Sequence, residues 1–348
     1  MEPALLEFVY EYGLFLAKAA TLVAALLILI GAVVGAARQL RGGDAGDRLE
    51  VTHLNERLRE MAEALESTLL DEAERKQRDK QRKREEKAAA KARSKGQAPV
   101  RDRVFVIDFD GDLRASAVAE LREEITAILQ VGGKEDEVVL RLESEGGLVH
   151  GYGLAASQLA RLRDSGLRLT VAVDKVAASG GYLMACVAHK IIAAPFAILG
   201  SIGVVGQLPN FNRLMKKHDI DYEMHTAGEF KRTLTVLGEN TDSSREKFRE
   251  ELEETHTLFK RYVAEYRPSL PIDKVATGEH WFGRRAQELR LVDEIKTSDD
   301  YLLARSREAE LYAVHYKPHR SLPQRLAHEW MAFRAQRRRD SVTSRVRA

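Results

Sequence analysis

Residues 174–182, Asp-Lys-Val-Ala-Ala-Ser-Gly-Gly-Tyr, are the stretch on which the interpretation of this sequence depends. They follow residues 167–173, whose aliphatic and β-branched side chains predict a buried strand. They precede residues 183–188, which are small and apolar and suit the start of a helix. A serine between alanine and two glycines at such a junction is typical of a nucleophile turn, because small neighbours permit a sharp bend and leave the hydroxyl accessible. An ordinary glycine-rich turn with a capping serine fits this stretch equally well.

Patterns of strand and helix alternate through the surrounding chain. Short β-branched or aliphatic runs predict strands at residues 104–109, 137–142, 168–173, 190–194 and 221–225. Amphipathic stretches predict helices at residues 117–129 and 152–162, and a long charged helix at residues 243–265. Such βαβ units predict an α/β fold in which helices cover a largely parallel sheet.

The N-terminal region predicts a membrane anchor within residues 1–40. Residues 12–37 are apolar except for Lys18 and Thr21. This run is long enough for one helix to cross a bilayer. A cleaved signal peptide fits less well, because the apolar run is too long and acidic residues replace the basic leader, namely Glu2, Glu7 and Glu11. We therefore expect a retained transmembrane helix.

Charge is balanced over the chain but unevenly distributed. The 348 residues hold 55 basic and 53 acidic side chains, so net charge does not indicate a nucleic-acid partner. Residues 48–93 are helical by propensity, and a charged helical linker is expected over residues 41–100. Its basic stretch at residues 75–103 suits either a solvated tether or contact with anionic lipid headgroups beside the anchor.

The C-terminal tail and the single cysteine each support a prediction. The tail at residues 316–348 is basic and amphipathic, so it could lie on a membrane, pack on a neighbouring subunit or stay exposed. Cys186 is the single cysteine, which excludes an intrachain disulfide. Its apolar neighbours predict a small buried side chain rather than a catalytic thiol.

Three more motifs accompany the 174–182 turn. They are Leu-Arg-Leu-Glu-Ser-Glu-Gly-Gly at residues 140–147, Leu-Gly-Ser-Ile-Gly-Val at residues 199–204 and Thr-Ala-Gly-Glu-Phe-Lys-Arg-Thr at residues 226–233. In this order the four motifs resemble those of the signal peptide peptidase A family, peptidase family S49. Residues 149–157 and 209–213 bring the resemblance closest to its SohB branch. One departure is Glu145, which stands where the family usually has proline before the two glycines.

The resemblance implies an architecture and a setting. It implies a ClpP/crotonase-like peptidase domain, which we expect over residues 101–315, and a homo-oligomer that encloses the active sites. Substrates would be extended hydrophobic peptides or membrane-protein fragments, with no cofactor, metal or nucleic acid. The setting would be a bacterial inner membrane. The charges after the span favour a cytoplasmic catalytic domain, whereas the best-known family members hold it in the periplasm, so the side stays open.

The resemblance also implies the catalytic groups. Ser179 matches the nucleophile and Lys231 the general base, whereas no motif suggests a Ser–His–Asp arrangement among the histidines. A lysine acts as a base only when neutral, so its pKa must fall by roughly three units, about 4 kcal/mol of differential stabilisation. Gly147 and Gly180 would donate backbone N–H groups to the oxyanion. Ser201 is similar to the serine that holds the lysine amine.

The sequence thus predicts a membrane-anchored serine endopeptidase with a Ser–Lys dyad that acts through an acyl-enzyme. A crotonase-type acyl-CoA enzyme is one alternative, because that class shares the expected architecture and its backbone oxyanion donors. A non-catalytic membrane scaffold is the other alternative.

Overall fold

The computed structural model describes residues 3–41, 48–94 and 102–318. By its internal contacts the chain divides into two compact units, of which the first contains helix α1 and the second spans Leu49–Tyr316. Most of the basic tail at residues 316–348 lies outside the described residues, so the expectations for it stay predictions.

The elements of the described residues alternate as expected for an α/β fold. The helices are α1 (Pro3–Arg41), α2 (Leu54–Leu69), α3 (Glu72–Ser94), α4 (Val118–Val131), α5 (Val149–Asp164), α6 (Gly180–Ala185), α7 (Asn212–Lys217), α8 (Asp242–Tyr266), α9 (Ile272–Val275), α10 (Gly283–Glu288) and α11 (Ser298–Arg305). The strands are β1 (Arg48–His53), β2 (Arg103–Gly111), β3 (Glu137–Ser144), β4 (Arg168–Val173), β5 (Val176–Ala178), β6 (Lys190–Ala193), β7 (Ile198–Gly200), β8 (His280–Phe282), β9 (Glu294–Ile295) and β10 (Glu310–Lys317).

One sheet joins these strands in the order β1-β10-β2-β3-β4-β6-β9. The ladders from β10 to β9 are parallel, as the βαβ pattern predicts. A side branch leaves the end of β3, where Ser144 pairs with Ala177 of β5. In that branch β5 pairs with β7 in parallel, and β7 pairs with β8 in antiparallel fashion. The branch therefore displaces the end of β5, and with it Ser179, from the main row of strands.

Both faces of the central strands are buried. On β2 the side chains alternate, so Phe105, Ile107 and Phe109 join the larger core with helices α4, α5 and α6. Val104 and Val106 point the other way, into a smaller core that contains Tyr301 and Leu302 of α11. Each fully buried aliphatic or aromatic side chain contributes roughly 1.5–3 kcal/mol relative to exposure. This two-sided burial makes the central strands a rigid base for the loops at their carboxyl ends.

Helix α1 is long and apolar enough to cross a membrane. Within it, Tyr10–Gly31 form a 22-residue segment with a mean hydropathy of 2.4, and none of it is buried. It is the one helix of this kind among the described residues. Length and composition therefore agree with the predicted anchor.

Two local predictions were wrong. Residues 48–53 were expected to be helical, but they form β1 at the edge of the sheet beside β10. Residues 221–225 were expected to be a strand, but they have no regular secondary structure. The other strands named above lie within two residues of the observed strands. Helices α4 and α8 agree equally well with the expected ranges, whereas α5 begins three residues before the expected start at residue 152.

Candidate active site

Ser179 occupies a strained turn between β5 and α6. Its backbone angles are φ 50° and ψ −117°, a region that side chains other than glycine rarely adopt. Two hydrogen bonds fix this conformation: the Ser179 N–H donates to the Gly200 carbonyl at 2.8 Å, and the Ser179 carbonyl accepts from the Leu183 N–H at 3.0 Å. The hydroxyl makes no capping bond to the helix. The turn therefore has the geometry of a nucleophile turn rather than of a serine cap.

The glycines proposed as oxyanion donors allow close backbone approach. A Cβ on Gly180 would overlap the ring of Tyr152, and a Cβ on Gly147 would overlap the backbone of Leu113. Gly180 is the first residue of α6, so its N–H has no acceptor inside the helix. The two glycines line the same cavity as Ser179. Their location is compatible with the predicted role, which stays a prediction.

A buried hydrogen-bond relay supports the loop before Gly147. The Gly146 N–H donates to Ser144 Oγ at 3.0 Å, and the Ser144 and Tyr152 hydroxyls are 2.5 Å apart. The Tyr152 hydroxyl in turn donates to the Asp112 carbonyl at 2.8 Å, so Ser144 is the donor between the two hydroxyls. Burial raises the pKa of Tyr152, which keeps it protonated and able to donate. The exposed Glu145 lies in this loop without entering the relay.

A cavity of about 360 Å³ opens beside Ser179. Helices α5, α6 and α8 and residues 203–205 line it, mostly with apolar side chains. The lining residues of α6 and α8 include Leu183, Leu258 and Phe259. The cavity falls in the size range of small-ligand sites, and a nucleophile at its rim could act on a bound apolar chain.

Ser201 lies next to the residue that fixes the nucleophile. It follows Gly200, the hydrogen-bond partner of Ser179, and its own φ is 52°. Its N–H donates to the Glu279 carbonyl at 2.6 Å. Its hydroxyl makes no hydrogen bond within the described part of the chain, so it is available to hold an amine.

Lys231 is not brought to this cavity. It is exposed, in a turn where its N–H donates to the Gly228 carbonyl at 3.2 Å. Within residues 3–41, 48–94 and 102–318 its amine makes no ion pair or hydrogen bond. Its neighbour Phe230 is 47% exposed and contacts Lys247 rather than covering Lys231. The single chain therefore assembles Ser179, Gly180 and Gly147 at one cavity, with Ser201 adjacent to Gly200, the hydrogen-bond partner of Ser179, but Lys231 does not line that cavity.

Other reactive side chains near the turn have different partners. Lys175 forms an ion pair with Glu143 at 2.8 Å, and Lys190 forms one with Glu294 at 2.6 Å. His189 accepts a hydrogen bond from the Leu169 N–H at 3.1 Å, and burial lowers its pKa. Cys186 is fully buried as predicted, and burial raises the pKa of its thiol. None of these groups contacts the Ser179 hydroxyl in the described residues.

The sequence did not identify the residues that shape the cavity. Gly153 of α5 and the apolar side chains of α8 line it, although α8 reads as a charged helix. The sequence did indicate an apolar face on this helix, because Leu258, Phe259 and Tyr262 recur at helical spacing within that charged stretch. The pattern predicts a buried face but not which neighbour it faces.

Two protein-family models together match nearly all of the described residues. Residues 7–159 match "Peptidase family S49 N-terminal", and residues 161–312 match "Peptidase family S49". The two matches together cover the Ser179 turn and the motifs that flank it.

Individual relatives agree with these matches. The chain is 54% identical to the "Probable protease SohB" of Haemophilus influenzae over 318 residues, which are 89% of this chain and 90% of that protein. It is 62% identical to the "Probable protease SohB" of Buchnera aphidicola subsp. Acyrthosiphon pisum over 62% of this chain and 64% of that protein. A solved structure of a mutant 1510-N membrane-bound stomatin-specific protease overlaps 60% of this chain and 86% of its own, with 12% identity and a TM-score of 0.38. That overlap is too loose to carry an argument about the site.

Proposed function

The chain belongs to peptidase family S49, and from that premise we propose that it is a membrane-anchored serine endopeptidase with a dyad of Ser179 and Lys231. Its substrates are extended hydrophobic peptides or fragments of membrane proteins. Its catalytic domain has a ClpP/crotonase-like architecture, in line with the mixed α/β sheet.

The observation that carries this proposal is the backbone of Ser179. Strain at φ 50° and ψ −117° persists only where the surroundings enforce it, and such strain is typical of functional positions. The turn holds the hydroxyl at the rim of an apolar cavity, next to Gly180 and Gly147. A structural turn would need neither the strain nor the cavity.

The proposed reaction uses these groups together with Lys231. Ser179 Oγ attacks the scissile carbonyl while its proton passes to the neutral Lys231 amine. The N–H groups of Gly147 and Gly180 stabilise the tetrahedral oxyanion. Lys231 then protonates the leaving amine, and an acyl-enzyme remains on Ser179. Water, deprotonated by Lys231, hydrolyses that ester and restores the hydroxyl.

Lys231 requires a more apolar setting than the single chain provides. A lysine acts as a base only when its amine is neutral, and desolvation favours the neutral amine. We assign that desolvation to assembly with further copies of the chain. In the assembly the 226–233 segment is covered, and Ser201 orients the amine toward a nucleophile.

The surface around Lys231 supports assembly. Residues 205–237 expose an unusual number of large apolar side chains, namely Val205, Leu208, Phe211, Leu214, Ile220, Tyr222, Met224, Phe230, Val236 and Leu237. An apolar surface of this kind is typical of a protein interface. A homo-oligomer that covers residues 205–237 buries these side chains and Lys231 together.

Helix α1 anchors the protein in a bilayer, and the proposed bilayer is a bacterial inner membrane. Its 22-residue apolar segment matches the thickness of the hydrocarbon core. The basic side chains of α3 suit contact with anionic lipid headgroups.

The test is activity of the purified full-length chain toward a panel of fluorogenic peptides. Turnover of peptides with apolar residues at the cleavage site is expected, and Ser179→Ala should abolish it. Release of coenzyme A from acyl-CoA thioesters without peptide cleavage would instead favour the crotonase alternative. Absence of both activities in a folded, assembled protein would favour the scaffold.

A further inference from the structure

One face of α5 forms a wall of the cavity beside Ser179. Val149, Gly153 and Ser157 are spaced four residues apart, which places them above one another on the helix, and all three line the cavity. Leu183 of α6 and Leu258 and Phe259 of α8 line the same cavity. Gly153 thus lies midway along the α5 wall of a cavity that is lined elsewhere by bulky apolar side chains.

The absence of a side chain at Gly153 has no packing reason. Glycine inside a helix is less favourable than alanine, so an internal helical glycine usually marks a close contact. Gly151 has such a reason, because a Cβ there would lie 2.7 Å from the Arg114 carbonyl oxygen. A Cβ on Gly153 would meet no atom within 4 Å. The space in front of Gly153 is therefore open, and it belongs to the cavity.

We propose that Gly153 determines the size of the substrate side chain that enters this cavity. The side chain is that of the residue whose carbonyl Ser179 attacks, and it is large and apolar, aromatic side chains included. This inference rests on the proposed peptidase function and adds a specificity-determining residue to it. Lengthening the side chain at position 153 fills the cavity from the α5 wall and excludes large substrate side chains before small ones.

The experiment measures labelling of the full-length chain by two serine-directed diphenyl phosphonates. One carries an alanine-like side chain and the other a phenylalanine-like side chain next to the phosphorus. Inactivation rates are measured for the wild type, Gly153→Ala, Gly153→Leu and the control Leu154→Phe. Leu154 is the neighbouring residue on α5, is 42% exposed and does not line the cavity. The melting temperature of each variant is recorded as well.

An apolar pocket discriminates about 10–200-fold in reaction rate between substrates that differ by one methylene. The ratio of the large-probe rate to the small-probe rate should therefore fall at least tenfold in Gly153→Leu and less in Gly153→Ala. Leu154→Phe should leave the ratio as in the wild type. Gly153→Ala should melt no lower than the wild type, because alanine favours the helix and the space is open.

An unchanged ratio in Gly153→Leu, or an equal shift in Leu154→Phe, would overturn the inference while leaving the peptidase proposal intact. A lower melting temperature in Gly153→Ala would contradict the open space. If the wild type is not labelled, or Ser179→Ala is labelled equally fast, the peptidase proposal itself fails and the size selection fails with it.

Discussion

At the scale of single residues, the site depends on a serine held in a conformation that suits glycine. Ser179 keeps φ 50° because the Gly200 carbonyl and the start of α6 fix both of its peptide groups. Strain of this kind costs of order 1–3 kcal/mol. The strain thus lowers the stability of the folded state at the side chain that acts as nucleophile in the proposed chemistry.

Ser179→Gly should therefore be more stable than Ser179→Ala, although both are inactive. Glycine relieves the strain but gains freedom in the unfolded chain, so the net difference expected is about 1 kcal/mol. Chemical denaturation of the two variants measures it, and the alanine variant is the matched control because it lacks the hydroxyl but retains a Cβ. A glycine variant less stable than the alanine variant would show that the turn is not strained.

The sequence predicted the Ser179 turn but not its environment. Small residues between a strand and a helix are a local pattern, and local patterns determine local conformation. Gly153 and Leu258 line the same cavity although more than one hundred residues separate them in the chain. The shared cavity depends on the arrangement of α5, α6 and α8 in three dimensions, which no local pattern encodes.

At the scale of elements, α4 and β10 meet at a buried carboxyl group. Glu124 of α4 is 4% exposed, and its Oε1 accepts the Tyr316 N–H at 2.9 Å. Its Oε2 has no hydrogen-bond partner in the described chain. Burial raises the pKa of Glu124 to about 7, and the negative charges of Asp108 and Glu120 act in the same direction.

This shift predicts a pH dependence of stability. The ordinary pKa of 4.5 applies to the unfolded chain and about 7 to the folded one, so the folded state binds the proton more tightly. The stability that comes from tighter proton binding at Glu124 is fully present below pH 4.5 and is lost as the pH rises to about 7. The cost of the buried carboxylate at higher pH is on the order of 3 kcal/mol.

Glu124→Gln should remove this pH-dependent loss of folding stability. The amide oxygen can still accept a hydrogen bond from the Tyr316 N–H, and the amide carries no charge. The variant should melt higher than the wild type at about pH 8, and the difference should shrink toward pH 5. Melting temperatures of both proteins across this pH range provide the check. A difference that is constant with pH would mean that Glu124 does not titrate there.

Most elements were predictable because their hydrophobic periodicity is strong, but β1 was not. Its sequence is short and precedes a helical stretch, so propensity alone favoured a helix. Its neighbour in the sheet is β10, which is far away in the sequence. Asn55 reinforces this join by donating to the Ser306 and Ala309 carbonyls and accepting from the Leu311 N–H. Long-range contacts thus overrode local preference.

At the scale of the whole molecule, the proposed catalysis requires more than one copy of the chain. Leu214 on α7 is 55% exposed and is one of the exposed apolar side chains of residues 205–237. Leu214→Asp should dissociate the assembly and abolish peptide turnover, because burying a carboxylate in an apolar interface is unfavourable. Light scattering after size exclusion in detergent, together with the peptide assay, measures both effects.

Leu65→Asp is the control, because Leu65 is 66% exposed on α2 and lies outside residues 205–237. It should preserve both mass and turnover. A Leu214→Asp protein that keeps the wild-type mass would show that this surface is not the interface.

The sequence could predict the long apolar helix and the α/β class, since both follow from composition and periodicity. It could not derive the setting of Lys231, because that residue lies in an irregular segment and is exposed in the single chain. Only the family resemblance pointed to Lys231 as the base, and we assign its burial to the proposed assembly.

Covalent labelling tests the dyad most directly. The full-length chain is treated with a serine-directed phosphonate, and the modified residue is identified by mass spectrometry in the wild type, Ser179→Ala and Lys231→Arg. We expect one adduct, on Ser179, in the wild type only, because guanidinium does not lose its proton at working pH. Light scattering establishes that all three proteins are equally assembled. Labelling of Lys231→Arg at the wild-type rate, or an adduct on another serine, would contradict the account.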